Sequence, residues 1–374
     1  GNQDGNSIGD FYYEPPSGYL ALCTSNLSDP SIKLPGDHFN TVLYTGDASN
    51  PKTVSGVGFS ADMVWLKSRN IIQRQNIYDT VRGIPKSGST DVPRISPNDS
   101  SAESDTIDEL RTVTSDGFTV DSSRNGSGNT YVAWNWLAAT TFDPTTAGTV
   151  TTASGRSNSD SGFSIVTYDG TGSSMTIGHG LSEAPNIIFI KRTDASGSWI
   201  VGSDGMTSWS YVISLDDTQA ESENSTNIGT APSSTVFTVN SNDKTNNSSG
   251  NYVAYCFHSV EGYSKAGSSY EGNGNADGTF IYTGFRPSYF LVKNVDSVEG
   301  WNVWDNKRST YNSTWRKLSP NTDAAEYVAS ETIYAIDFLS NGVKLRTTYS
   351  AVNEANTFLF MAFAESPFKY ANAR

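Results

Sequence analysis

The sequence has too few cysteines for a disulfide framework and lacks the paired motif of a zinc site. Cys23 and Cys256 are the only two cysteines among 374 residues, they lie far apart, and no CxxC pair occurs. Disulfide-dependent secreted domains carry several cysteines at close spacing, and structural zinc sites need a full set of ligands. Stability must therefore come from burial, and synthesis in a reducing cytoplasm is expected.

Basic residues and long apolar runs are also scarce. The 25 Lys and Arg stand against 39 Asp and Glu, so the net charge is -14 at pH 7, and a phosphate backbone would be repelled. No apolar run approaches the roughly 20 residues of a spanning helix, and the mean hydropathy is -0.43. We therefore expect no nucleic-acid partner and no membrane insertion. The chain begins at Gly1 without a methionine, which indicates a processed product or a piece of a longer protein.

Recognisable catalytic and metal-binding patterns are missing as well. His38, His179 and His258 lie in separate segments, none belongs to an HExxH pair, and no GxSxG or P-loop occurs. Asn273–Gly278 begins like a calcium loop, but Gly284 stands where such a loop needs a bidentate glutamate. We therefore expect no catalytic residue, no metal site and no cofactor, and we predict that the chain is not an enzyme.

Acidic side chains are the remaining source of an active site. A glycosidase needs two carboxyl groups at a defined distance, and spacing on polar loops, as at Asp108–Glu109, does not establish one. The sharpest candidates are Glu103, Glu221 and Glu326, which occupy corresponding loops. Because they recur, a structural role such as accepting backbone amides is favoured over catalysis.

A strand motif that occurs three times is the main positive feature of the chain. It is a turn, four large apolar residues and a lysine, at Phe59–Lys67, Ser182–Lys191 and Phe285–Lys293. Runs this short and this rich in β-branched and aromatic residues predict buried strands. Closing strands follow in the same order, for example at Tyr131–Trp136 and Tyr252–Phe257. The pattern indicates three related repeats.

The predicted fold class is all-β, with tandem antiparallel β-sandwich, jelly-roll-like domains. Short strands bounded by turn residues, without a strong helical period, are typical of that class. The third repeat is expected to begin with the strand Thr279–Gly284. The predicted organisation is a connector arm at 1–38, sandwich repeats at 39–145, 162–263 and 279–374, and linkers at 146–161 and 264–278.

Charge and aromatic residues distinguish the repeats. Residues 161–278 contain 4 basic and 12 acidic residues, a net charge of -8, whereas residues 279–374 contain 10 and 9, a net charge of +1. The third repeat is therefore the best suited to an anionic partner. Trp209, Tyr311 and Trp315 lie in polar, loop-like sequence, where an aromatic face can contact a glycan or a protein partner. Packing over a neighbouring strand or at a subunit interface is the alternative for each.

The repeats resemble the β-rich C-terminal modules of virion proteins from tailed bacteriophages, described as tail-fibre, tail or structural proteins. The segment Pro15–Thr24 resembles the connector that follows a lectin-like SPRY domain in longer members. The other segments that carry the resemblance are Val42–Gly46, Val64–Lys67, Ser115–Phe118, Tyr131–Trp136, Val260–Ser264, Tyr282–Pro287 and the terminal Phe363–Arg374.

This resemblance implies a location and a structural class, and it supplies no catalytic residue. It implies a non-enzymatic virion protein, assembled in the host cytoplasm, in a tail fibre or surface appendage that adheres to host-surface glycan. Other virion proteins are the expected partners, bacterial surface glycan is a further one, and a homotrimer is expected by analogy with fibres. Three repeats in one chain can also pack around a pseudo-threefold axis. Capsid decoration and polysaccharide depolymerisation are the alternative functions.

Overall fold

The structure is a computed structural model that describes residues 1–84, 92–106 and 109–371. Asp108 and the last three residues of the C-terminal motif lie outside this description. The described chain is nearly all β, and every pairing between its strands is antiparallel. The all-β, sandwich-type fold class is confirmed. No helix within the described ranges has the length and apolar character to cross a membrane.

The first repeat contains a four-stranded sheet of order β1-β9-β3-β4 and a three-stranded sheet of order β2-β8-β7, with a small pair β5-β6. The 3-10 helices Thr24–Asn26 and Pro35–Asp37 precede it, and Ser122–Arg124 lies within it. Its strands are β1 Phe39–Thr45, β2 Lys52–Ser55, β3 Met63–Ser68, β4 Asn76–Asp79, β5 Val92–Arg94, β6 Ser104–Thr106, β7 Leu110–Thr114, β8 Gly117–Val120 and β9 Thr130–Trp136.

The second repeat is preceded by β10 Thr140–Phe142, a 3-10 helix at Pro144–Thr146 and β11 Ala153–Asn158. Its main sheet has the order β10-β11-β12-β19-β14-β15, beside the pairs β13-β18 and β16-β17. The remaining elements are β12 Phe163–Asp169, β13 Met175–Gly178, β14 Ile187–Arg192, β15 Ile200–Ser203, β16 Tyr211–Val212, β17 Ser222–Glu223, β18 Val236–Val239, α1 Asp243–Asn246 and β19 Asn251–Phe257.

The third repeat has a four-stranded sheet of order β20-β26-β22-β23 and a three-stranded sheet of order β21-β25-β24. The chain then ends in a 3-10 helix at Phe368–Tyr370. The elements are β20 Ser264–Glu271, β21 Phe280–Tyr282, β22 Phe285–Asn294, β23 Asn302–Asp305, β24 Ile336–Leu339, β25 Gly342–Leu345, α2 Ser350–Asn353 and β26 Thr357–Pro367.

The same strand order recurs in the larger sheet of each repeat. First strand, closing strand, lysine strand and following strand are neighbours in that order: β1-β9-β3-β4, β12-β19-β14-β15 and β20-β26-β22-β23. We call these the inner sheets. The lysine strands β3, β14 and β22 are buried on both faces, which explains their unbroken apolar runs.

Each inner sheet packs one face on the smaller sheet of its own repeat. In the first repeat, Val64 and Leu66 face Phe118 and Val120 of the smaller sheet. Corresponding cores lie in the second and third repeats. The opposite faces of all three inner sheets meet in one further cluster, which includes Trp134, Tyr255 and Met361. The repeats therefore share a core rather than standing as independent beads.

An aromatic triad lies within this shared core. Trp136, Phe257 and Phe363 occupy the same position on the three closing strands. Their ring centroids are 6.4 Å apart for Trp136–Phe257, 5.8 Å for Trp136–Phe363 and 6.0 Å for Phe257–Phe363. This near-equal triangle places a pseudo-threefold axis inside one chain.

Two segments predicted to be linkers contain strands instead. β11 lies within 146–161, and β20 lies within 264–278, where it pairs with β26 as the first strand of the third inner sheet. Small residues are required there by packing. A Cβ on Gly267, at φ +62°, would lie 2.2 Å from the carbonyl oxygen of Asn186 in the second repeat. The predicted first strand, Thr279–Gly284, contains β21 of the smaller sheet.

The end of the connector arm is part of the shared core. Ile32 is buried in that cluster, and the imidazole of His38 packs edge-on against the ring of Tyr263 at 5.9 Å. Lys369, near the end of the described chain, forms a 2.7 Å ion pair with Asp29 of the arm. Both terminal segments therefore lie at the same end of the inner sheets.

Candidate functional site

The lysine that ends each repeated strand is buried and reaches into the loop of a neighbouring repeat. Lys67, Lys191 and Lys293 each have 0% of their surface exposed. Their Nζ atoms donate to backbone carbonyls of Thr322 at 3.2 Å, Ser100 at 3.3 Å and Thr218 at 3.2 Å, respectively. The third repeat thus caps the first, the first caps the second and the second caps the third, which closes a ring.

Backbone hydrogen bonds close the same ring in the same sense. We call the segments 96–103, 214–221 and 319–326 the mid-repeat loops; each ends on one of the three repeated glutamates. The amides of Glu103, Glu221 and Glu326 donate to carbonyls two residues after the lysines: Thr193 at 2.8 Å, Val295 at 2.7 Å and Arg69 at 2.7 Å. Every mid-repeat loop is therefore held by the repeat next to it.

The glutamate side chains also make structural contacts. Glu221 accepts the backbone amide of Thr207 at 3.1 Å, the role expected of these residues. Glu103 and Glu326 instead accept guanidinium groups, from Arg82 at 2.7 Å and Arg308 at 3.0 Å. The three carboxylates are distributed around the ring in separate loops.

Buried Arg–Asp pairs bring polar groups into the contacts between repeats. Arg308 Nε lies 2.6 Å from Asp305 Oδ2, and both side chains have 0% exposure. The same aspartate accepts the indole N–H of Trp134, from the first repeat, at 3.1 Å. In the first repeat, Asp79 likewise accepts a hydrogen bond of 2.6 Å from the hydroxyl of Tyr255 in the second repeat. At two contacts between repeats, a buried aspartate therefore accepts a hydrogen bond from an aromatic side chain of the neighbouring repeat.

Burial lowers the pKa of Lys67 to about 7 and the pKa values of Lys191 and Lys293 to about 8. Removing a cation from water disfavours its charged form, and the nearby loop carbonyls offset only part of that cost. Burial also raises the pKa of Asp216, in the second mid-repeat loop, to about 6. The contacts between the lysines and the mid-repeat loops therefore contain titratable groups whose pKa values are shifted by burial.

A pH dependence of stability follows from Lys67. An unfolded lysine has a pKa of about 10.4, so between about 7 and about 10 the unfolded state binds more protons, and the free energy of unfolding rises with pH. Lys67→Met removes this contribution. We expect the difference in unfolding free energy, Lys67→Met minus wild type, to fall as pH rises through that window. Urea titrations at several pH values measure it, and a pH-independent difference would contradict the assignment.

The three aromatic candidates for partner contact lie in different environments. Trp209 is only 6% exposed, packs in the sandwich core of the second repeat and donates Nε1–H to Asp204 at 2.7 Å. Trp209 is therefore not an accessible contact residue, and packing, the alternative for this residue, is what the structure has: polar sequence neighbours surround a buried side chain. Tyr311 is 80% exposed. Trp315 is half-buried, with the guanidinium of Arg316 5.4 Å from its ring centroid.

The three histidines lie in separate hydrogen-bonded surroundings. His179 accepts the amide of Leu181 on Nδ1, so Nε2–H donates to the carbonyl of Ser233 at 3.1 Å. His258 Nδ1 lies 3.0 Å from the carbonyl of Ser259, and His38 Nδ1 lies 2.9 Å from Asn158 Nδ2. Within the described ranges, no group of three or more His, Cys, Asp and Glu side chains could hold a metal ion.

The calcium-like segment is held by its own turns. Asn273 Oδ1 accepts the amide of Asn275 at 2.9 Å, and Asn275 Oδ1 accepts the amide of Asp277 at 3.2 Å. Asp277 Oδ1 forms a 2.8 Å ion pair with Lys344. The oxygen-rich sequence therefore serves a turn between β20 and β21.

Sequence reasoning missed one surface feature. Phe280 and Tyr282 are exposed on β21, on either side of buried Ile281. The alternation of aromatic and aliphatic residues was the available signal. Because Thr279–Gly284 is predicted as the first strand of the third repeat, the sequence does not show which face of it is exposed.

The fold is thus an all-β body of antiparallel sheets, built around a shared core and closed by reciprocal loop contacts. The chain belongs to the family described as Domain of unknown function (DUF7483), whose model matches residues 34–367. No match to the chain was found among curated proteins. None was found among solved structures.

Proposed function

We propose that the chain is a non-enzymatic structural protein of a tailed-phage virion, a segment of a tail fibre or surface appendage that adheres to host-surface glycan. The sequence resemblance supplies the class. The observation that carries the proposal is that the two ends of the body, along its internal pseudo-threefold axis, differ in structure. A projecting adhesive segment needs one end for attachment and another for contact with the host.

The two ends of the inner sheets differ in kind. Met63 pairs with Trp136 beside the core-bound arm, whereas Lys67 pairs with Val132 at the other end of the strand. Four residues of strand separate these ends by about 13 Å. The arm and the terminal 3-10 helix contact each other through Lys369 and Asp29. The mid-repeat loops lie at the lysine end.

The bonds between each mid-repeat loop and the neighbouring repeat favour a binding surface of fixed shape. The mid-repeat loops are connections, the elements that normally have the greatest freedom, but each is bonded by backbone and by a buried lysine to the next repeat. Ordering a loop in advance lowers the entropic cost of binding. A preformed end with several loops suits contact with a repeating polymer on a cell surface.

Antibody labelling of virions tests the location. Gold-labelled antibody against the chain should decorate the tail or a surface appendage in electron micrographs of the phage that encodes it. Label confined to the capsid shell would contradict the fibre assignment and favour capsid decoration. Sustained release of reducing ends from host polysaccharide by the purified chain would contradict the non-enzymatic assignment.

The homotrimer stays a prediction. The shared core already provides one chain with a threefold arrangement, so the internal packing does not require three copies. Sedimentation equilibrium distinguishes a 40.3 kDa monomer from a species of three times that mass. A monomer at all working concentrations would contradict the homotrimer.

A further inference from the structure

We propose that the solvent face of β21, carrying Phe280 and Tyr282, is a binding site for a neutral oligosaccharide. This inference rests on the proposed adhesive function and adds to the mid-repeat loops a further contact site with a stated ligand class. Phe280 is 43% exposed and Tyr282 is 64% exposed, whereas Ile281 between them is 3% exposed. The strand thus uses its aliphatic residue for the sandwich core and directs two aromatic residues outward.

The other two repeats show that the fold does not require aromatic residues at these positions. β21 pairs Tyr282 with Gly342, just as β2 pairs Ser55 with Gly117. Two residues earlier, Phe280 corresponds to Thr53 in the first repeat. In β13 of the second repeat, the corresponding residues are Thr176 and Gly178. The paired rings are therefore a property of the third repeat alone and not of the sandwich.

The surroundings of the two rings leave them uncovered by larger side chains. The ring of Phe280 leans over Gly342, where a Cβ would lie 2.9 Å from Phe280 Cε2. The hydroxyl of Tyr282 lies beside Gly284: a Cβ placed on Gly284 would be 3.5 Å from Tyr282 Oη. Residues two apart on a strand are about 7 Å apart and project from the same face, so the two rings, which we call the platform, have a spacing that suits adjacent sugar units.

The polar groups beside the platform are charge-paired. Lys344 Nζ lies 2.8 Å from Asp277 Oδ1, and Arg346 Nε lies 2.6 Å from Asp337 Oδ2. These two cations and two anions have no net charge but offer fixed donors and acceptors beside the aromatic rings. A pyranose presents the complementary chemistry, with an apolar C–H face to stack on a ring and hydroxyl groups at its rim.

The third repeat is the one best suited to an anionic group, but the charge of the whole chain disfavours a long anionic polymer at this face. The third repeat has a net charge of +1 from 10 basic and 9 acidic residues, whereas the whole chain has -14. An anionic polymer that extended beyond this repeat would meet the acidic remainder. An uncharged oligosaccharide would bind the platform without that repulsion.

A glycan array with soluble follow-up tests the proposal. The full chain is applied to neutral oligosaccharides and to uronic-acid-containing ones, and the best neutral hit is labelled with fluorescein for polarisation titrations. Phe280→Ala/Tyr282→Ala should weaken binding by about tenfold or more, because stacked aromatic anchors dominate such contacts. Phe280→Trp/Tyr282→Trp should keep it. The matched control Thr53→Ala/Ser55→Ala, at the corresponding positions of the first repeat, should bind like wild type.

Three results would overturn the proposal: no neutral oligosaccharide bound, binding only of uronic-acid glycans, or equal affinity for wild type and the double alanine variant. The variant's melting temperature, followed by circular dichroism, should match wild type because both side chains face solvent, so lost binding is not a folding defect. Virion labelling is independent of this face. Tail labelling with an inactive face would reject this site and leave the virion assignment intact.

Discussion

Trp136→Ala is expected to lower the free energy of unfolding by about 3–5 kcal/mol, the usual cost of deleting a fully buried tryptophan. Trp136 is 1% exposed, and its ring contacts Phe257 of the second repeat and Phe363 of the third. The cavity would open where the three inner sheets meet. Because sheets from different repeats line it, they cannot collapse into the space without breaking their own strand pairing.

Urea unfolding followed by circular dichroism measures this effect, and two variants bracket it. Trp136→Phe should cost much less, since Trp136 Nε1 makes no hydrogen bond within the described part of the chain. Tyr311→Ala, on an exposed loop, should change stability by less than about 0.5 kcal/mol. A Trp136→Ala variant as stable as wild type would show that the triad is not packed as described.

Arg308→Met is the second substitution with a large expected effect, a loss of about 3–5 kcal/mol. The guanidinium contacts Asp305 at 2.6 Å and Glu326 at 3.0 Å, and it donates to the carbonyl of Val303 at 2.9 Å. Removing one partner of a buried pair leaves the other charge without compensation. Among the residues that the structure describes, Asp305 would retain only neutral donors, including the indole of Trp134.

The matched control for Arg308→Met is Arg346→Met. Arg346 also pairs with an aspartate at 2.6 Å, but 45% of its side chain is exposed. Solvent screens such a pair, so its loss should cost less than about 1 kcal/mol. Both free energies come from urea titrations at pH 7. Equal losses in the two variants would contradict the assignment of a buried, uncompensated aspartate.

The inner strands could be predicted from the sequence because burial on both faces produces an unbroken apolar run. Met63–Ser68 and Ile187–Arg192 overlap the repeated motif and end one residue after its lysine. Trp134 and Trp136 stand two residues apart on the closing strand, which places them on one face, and both are buried. Alternation specifies the two faces of a strand but not what covers each face, so it could not reveal that three inner sheets share one core.

Local composition led to a wrong prediction where small residues allow close packing between repeats. Ser264–Glu271 was predicted to be a linker because it is rich in Ser and Gly, yet it is a strand whose Gly267 approaches the backbone of the second repeat. Trp209 is a candidate for partner contact because its sequence neighbours are polar, yet it packs in the core of the second repeat and its indole N–H donates to Asp204. Both outcomes depend on packing against residues far away in the sequence, Asn186 for Gly267 and the strands of the second-repeat core for Trp209.

The role of the lysine in the repeated motif depends on the mid-repeat loops that supply its hydrogen-bond acceptors. A buried cation at a strand end is unfavourable unless acceptors surround it. The carbonyls that receive Lys67 and Lys293 come from residues 255 and 75 positions away in the sequence. The sequence predicts buried strands that end in a lysine, but it does not predict that these lysines join neighbouring repeats.

Differential scanning calorimetry tests most directly the claim that three repeats form one closed body. For 374 residues, the calorimetric unfolding enthalpy should be about 260 kcal/mol near 60 °C. If the shared core and the reciprocal loops couple the repeats, a single transition should appear, with a van't Hoff enthalpy close to the calorimetric value. Separate transitions, or a van't Hoff enthalpy of roughly a third of the calorimetric one, would show independent repeats and contradict the account.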